Sequence, residues 1–164
     1  MSSHVALLAQ KYRNKGVLID TNLLLLVAVG TYERAIIPKF KRTAQYTAED
    51  FDLVVALLRF FKTKITTPNI LTEVDNLARQ LPETSYNAIS DVLRNLITVT
   101  FEKYIPSNQA SQSNLYPALG LTDSITFEYP DEILIITDDF HLYNRLNKNN
   151  RDAININHIR EFRS

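Results

Sequence analysis

Short β-branched runs alternate along the chain with longer stretches of helical spacing. Gly16-Val17-Leu18-Ile19 is apolar and stops abruptly at Asp20. Residues 64–67 form a second run, closed by Pro68, and residues 97–101 a third. Residues 132–137 form the fourth and strongest, closed by Asp138-Asp139, and residues 153–156 a weaker fifth. The first and fourth are almost unbroken, as in strands buried on both faces of a parallel sheet. Between them, Thr47-Ala48-Glu49-Asp50 offers a cap for a helix carrying Phe51, Val54, Val55, Leu58 and Phe61. Pro68 can open a helix with Ile70, Val74, Leu77, Ala78 and Leu81 on one stripe. Pro82 ends that helix, and residues 86–96 predict another. A further helix is expected from about Thr122 through Ile125 and Phe127 to Pro130, and an extra one over residues 5–12. Strands alternating with helices predict right-handed crossovers and an α/β sandwich. Residues 31–45 and the Ser/Asn/Gln-rich residues 107–117 look irregular, the latter a surface loop.

Composition narrows the chemistry. A chain of 164 residues fits a single domain over 1–164. With no Cys, disulfide scaffolds, thiolate zinc sites, iron–sulfur clusters and a Cys nucleophile are excluded. Lys+Arg and Asp+Glu are 18 each, so there is no global basic footprint. A nucleic-acid enzyme is still open, because clustered acids can cancel basic residues in the total. The apolar run at residues 23–29 is too short for the ~20 residues of a membrane span. With no secretory signal in view, a soluble cytoplasmic protein is expected, and no membrane partner.

Two predicted strands end in Asp. Sites in open parallel sheets form beyond the carboxyl ends of strands, where the connections diverge. If the first and fourth runs are neighbours there, Asp20 and Asp138-Asp139 converge. Like charges ~4 Å apart repel by about 1 kcal/mol in water and by several times that at a protein surface. A raised pKa, a basic partner or a divalent cation must compensate. Glu73, in the first turns of its helix and at the boundary of the apolar stripe, can reach the same edge. Asp123 sits at another element end. Each has an ordinary alternative: Asp20 as a helix cap, Glu73 and Asp123 as partners of helix dipoles, Asp138-Asp139 as a turn. Four such positions on one edge make the joint coincidence the weaker reading.

These residues resemble the motifs of PIN-domain nucleases, in particular toxin-type PIN ribonucleases. Val17-Leu18-Ile19-Asp20-Thr21-Asn22-Leu23-Leu24 is similar to their opening motif. Ile65-Thr66-Thr67-Pro68-Asn69-Ile70-Leu71-Thr72-Glu73-Val74 looks like the second. Gly120-Leu121-Thr122-Asp123-Ser124 resembles the third, and Ile135-Ile136-Thr137-Asp138-Asp139-Phe140-His141-Leu142 the fourth. The order holds over roughly residues 16 to 158. The resemblance implies a three-layer α/β/α sandwich with a central, mainly parallel five-stranded sheet. It implies a metal-dependent endoribonuclease that hydrolyses single-stranded RNA, and the toxin of a toxin–antitoxin pair. Asp20, Glu73, Asp123 and Asp139 carry over as the catalytic acidic set holding Mg²⁺ or Mn²⁺. Asp138, at the variable position of the Thr-x-Asp spacing, is a further candidate ligand. Asn22, Ser124 and Thr137 are candidate supporting groups that orient acids or water. The partners implied are single-stranded RNA, an antitoxin protein and a second copy of the chain as a homodimer. Residues 31–45 depart from compact family members, and a cover over the site or a partner surface is expected there.

The residue types agree with that chemistry. Hard carboxylate oxygens suit Mg²⁺ or Mn²⁺, which activate water without a protein nucleophile. His4, His141 and His158 lack zinc spacing, and no glycine-rich phosphate cradle occurs. Lys39, Lys41, Arg42, Arg79, Arg145 and Lys148 are the candidates for holding a phosphate backbone. A non-catalytic PIN-like module that binds nucleic acid or protein within a larger complex is the alternative. A phosphatase or receiver-like domain is disfavoured, since Asp20-Thr21-Asn22 lacks a second adjacent acid. On the sequence alone, Asp20→Asn is expected to abolish cleavage and to leave the metal-free chain as stable as before or slightly more so.

Overall fold

The apolar runs become strands where neighbours can bury both of their faces. In a computed structural model, which describes residues 3–129 and 132–160, an N-terminal helix α1 (Ser3–Tyr12) leads into β1 (Val17–Ile19) and α2 (Thr21–Tyr32). A short 3-10 turn at Arg34–Ile36 and further turns precede α3 (Ala48–Phe60), β2 (Lys64–Thr66), α4 (Pro68–Ala78) and α5 (Glu83–Val99). The chain continues through β3 (Phe101–Glu102), α6 (Ser107–Ala110), α7 (Tyr116–Phe127) and β4 (Leu134–Thr137). It closes with α8 (Phe140–Lys148), β5 (Ala153–Asn155) and α9 (Ile156–Arg160).

The described strands form one five-stranded sheet in the order β3-β2-β1-β4-β5, with every pair parallel. Val17 lies opposite Lys64 on one side and Leu134 on the other. All residues of β1 and β4 are buried, as their unbroken apolar runs require. α2 packs with α3, α4 and α5, and α7 with α8, and helices flanking the parallel sheet give three α/β/α layers. α2 is apolar on all sides, and residues 23–30 are buried because α3, α4 and α5 pack around it. The order reverses between β1 and β4, so the switch point lies at their carboxyl ends.

Local signals explain most boundaries. Thr47 accepts from the Asp50 amide while the Asp50 carboxylate accepts from the Thr47 amide, a complete capping box for α3. Pro68 opens α4, and Thr67 caps it by accepting from the Ile70 amide at 3.3 Å.

Three expectations change. Residues 97–99 are the last turn of α5, and β3 is only two residues long. The helical stripe through Ile89, Leu93 and Leu96 packs on the core and outweighs the β-branched composition. Residues 107–117 are not a plain loop, since they hold α6 and the start of α7. α7 is broken at Gly120, whose φ of 75° suits glycine, and it ends at Phe127. Pro130 lies outside the described residues. Among the described residues no helix is long and apolar enough to cross a membrane.

Candidate functional site

Asp20 leaves β1 and caps α2. Its Oδ1 accepts from the Leu23 amide at 2.9 Å. Its Oδ2 accepts from the Thr137 hydroxyl and, at 3.0 Å, from the Asp138 amide. The helix cap and the place at the sheet switch point are therefore one role, because the cap ties the end of β1 to the end of β4. Asp20 is only 6% exposed. Burial, and then the Asp138 charge, push its carboxyl well above the ordinary carboxylate range, against the three donors.

Asp138 and Asp139 follow β4. The Asp138 carboxylate accepts from Asn22 at 3.1 Å on Oδ1. On Oδ2 it accepts from Gln45 at 2.9 Å and from the Tyr46 hydroxyl. Asp139 caps α8, its Oδ1 accepting from the His141 and Leu142 amides at 2.6 and 3.0 Å. The Thr137 hydroxyl donates to Asp20 and accepts from the Asp139 amide at 2.9 Å, so it couples the two acids. Of the candidate supporting groups, Asn22 contacts Asp138, and Thr137 contacts Asp20 and the Asp139 amide. Ser124 is fully buried, and its hydroxyl donates to Gly120 O at 2.6 Å across the break in α7.

Glu73 is exposed on α4 and accepts from the Thr21 hydroxyl at 3.1 Å, which brings it beside the start of α2. Asp123 is half-buried on α7. Its pKa is pushed up to about 7, first by burial and then by the charges of Asp139, Glu73 and Asp138. One half-buried carboxyl therefore feels three of the other acids picked out from the sequence.

The basic candidates divide. His141, Arg145 and Lys148 share a cleft of about 320 Å³ on α8, the helix that Asp139 caps. Among the described residues, no carboxylate pairs with Arg145 or Lys148. Arg79 is engaged by Asp75 at 3.0 Å and lies over the Tyr86 ring, and Arg42 donates to Gln80 at 2.9 Å. Lys39 and Lys41 are exposed on residues 33–47.

Sequence reasoning missed Thr21, Gln45 and Tyr46. Thr21 had a signal, since it follows Asp20 at the start of α2. Gln45 had only its place in the 31–45 stretch expected as a cover or partner surface, and Tyr46 had none, because they reach Asp138 across 93 and 92 residues of chain.

The donor set suits a hard divalent cation: oxygen ligands only, with like charges crowding Asp123. The placement is looser. Among the described residues, no group of three or more His, Asp or Glu side chains is disposed to hold a metal ion. No family model, curated protein or solved structure matches the chain.

Proposed function

We propose that the carboxyl edge of the sheet is the active site of a Mg²⁺- or Mn²⁺-dependent endoribonuclease acting on single-stranded RNA. The observation that carries the reading is the gathering of acids at the β1/β4 switch point, where Thr137 and the Asp138 amide tie Asp20 to Asp138-Asp139 and Thr21 brings Glu73 beside the start of α2. The crowding of Asp123 by Asp139, Glu73 and Asp138 agrees with it. Functional sites concentrate such uncompensated charge, and a divalent cation offsets it. Asp20, Glu73, Asp123 and Asp139 would hold the ion. When bound, it supplies an activated water and charge stabilisation at the phosphate. The chain's own residues do the rest. Thr137 keeps Asp20 and Asp139 in register. Asn22 steadies Asp138. Arg145 and Lys148 take the phosphates of a strand laid across α8. A splayed single strand reaches a recessed edge more easily than a stiff duplex does. A toxin's role beside an antitoxin protein, or as a homodimer, is compatible with this chemistry.

The test is cleavage of single-stranded RNA by the purified chain with Mg²⁺ or Mn²⁺. Cleavage should stop on adding a chelator. Asp139→Asn should abolish turnover while RNA affinity changes far less. A second reading, a non-catalytic RNA-binding module, draws on the absence of a gathered ion cage among the described residues. Binding without cleavage in either metal would favour it.

A further inference from the structure

Residues 33–47 do not hang over the acidic edge as a loose cover. Ile37 and Phe40 are buried, and Thr43 donates its hydroxyl to Ile37 O at 2.8 Å, so the segment is packed from within. Its end is fastened from two sides. Arg160 of α9 donates to Gln45 O at 3.0 Å and pairs with Asp50 at 2.9 Å. Tyr46, 2% exposed, and Gln45 both donate to Asp138 Oδ2.

Asp138 is therefore a meeting point of elements distant in sequence. Its side chain accepts from Asn22 of α2 and from Gln45 and Tyr46. Its amide donates to Asp20, and its carbonyl accepts from Asn157 of α9 at 3.0 Å. Two donors fill both lone-pair directions of Oδ2, and Asn22 takes one of the two on Oδ1. Thr137, the Asp138 amide and the Leu23 amide give Asp20 the same occupancy. At Asp138, however, all three donors are side chains of other elements. Asp139 differs: its two amide donors both go to Oδ1. The charges felt by Asp123 rank the same way, with Asp139 ahead of Asp138.

We infer that Gln45 and Tyr46 are positioning residues of the acidic edge, acting through Asp138, which serves as a hub and not as an ion ligand. The inference rests on the ion-binding reading above. Segment 33–47 holds the Asp138 side chain and α9 its carbonyl, and Asp138 in turn holds Asp20 by its amide. Asp139, the next residue, is fixed by the same turn.

Mn²⁺ binding to the full chain, read from the free-ion electron paramagnetic resonance signal, separates hub from ligand. If Asp138 is a hub, Tyr46→Phe and Asp138→Ala each weaken Mn²⁺ binding about tenfold, the usual loss for a group supporting a metal ligand. The double variant is then no weaker than either single one, because both changes break one chain of contacts. Asp138→Asn recovers to within about threefold of wild type, since an amide oxygen still accepts from Tyr46 and Asn22 can turn its own amide to match. If Asp138 is a ligand, Tyr46→Phe leaves binding unchanged or tighter, and Asp138→Asn loses as much as Asp138→Ala. That result overturns the inference. Amide hydrogen exchange of the metal-free chain gives a second readout. The Leu23, His141 and Leu142 amides, capped by Asp20 and Asp139, should exchange about tenfold faster in Tyr46→Phe, an opening easier by one power of ten. Unchanged exchange at all three also overturns the inference. If the wild type takes up no Mn²⁺, the ion-binding reading falls, and the exchange arm alone decides the positioning role.

Discussion

Asp123 links charge crowding to stability in a way that pH can read. With its carboxyl at about 7 in the fold, against about 3.9 for an unperturbed Asp, the folded chain binds the proton more tightly than the unfolded one. The metal-free fold therefore loses stability from this group as pH rises from about 4 to about 7, and the cost is full above that. Asp123→Asn should raise stability by about 1–3 kcal/mol at pH 8, and the gain should fade toward pH 4. Urea unfolding at several pH values measures this, and saturating Mg²⁺ should shrink the gain. A pH-independent difference would mean that Asp123 lies outside the crowded field. Asp20→Asn should behave differently. The sequence alone suggests neutral or better stability, but the carboxylate has three donors. An amide has one oxygen, so one donor is left facing an NH₂ group. Losing a cap costs ~1 kcal/mol, and an unsatisfied buried amide ~1–3 kcal/mol. Removing a buried charge beside Asp138 offsets part of this. A net loss of about 1 kcal/mol is expected in the same unfolding experiment. Asp20 and Asp139 were legible because strand ends and caps are local signals. Tyr46 was not, because only tertiary structure brings it to Asp138.

Helices and strands record where local and tertiary preferences agree. The Thr47 capping box and Pro68 could be read directly, since their partners lie within one turn. Residues 97–101 could not, because a β-branched run and the end of an amphipathic helix share the same letters. Packing of α5 on the core decided between them. Gly30 shows the same limit. Within α2 it looks like a weak point of the helix, yet a Cβ there would meet Phe51 Cδ2 of α3 at 2.3 Å. The glycine permits the close approach of the two helices. Gly30→Ala should therefore destabilise the chain by about 1–3 kcal/mol, although alanine is the better helix former. A melting curve tests it, with a downward shift of about 2–4 °C per kcal/mol for a chain of this size. Adding Phe51→Leu should recover part of the loss, because the two changes share one contact. A neutral or stabilising Gly30→Ala would show that the α2–α3 spacing is wider than described.

For the whole molecule, the balance of 18 basic and 18 acidic residues limits how RNA can be held. A protein that coats a strand needs many cations on one face, and here several are paired with carboxylates elsewhere. Lys11 and Lys15 pair with Asp152 and Glu132, Arg34 with Asp52, Arg79 with Asp75 and Arg94 with Asp91. Arg145 and Lys148 share a cleft on the helix that Asp139 caps. If they supply the main phosphate contacts, about two or three phosphates are neutralised on binding. At about 0.7 per phosphate for a single strand, the plot of log affinity against log salt should have a slope of roughly −1.5 to −2. Replacing both Arg145 and Lys148 by alanine should bring that slope to about −0.5, with cleavage slowed at low RNA concentration. Equilibrium titrations of a fluorescent oligonucleotide with Asp139→Asn, at several salt concentrations, keep binding separate from turnover. A steep slope that survives the double substitution would place the RNA on another face, with the exposed Lys39 and Lys41 as the next candidates.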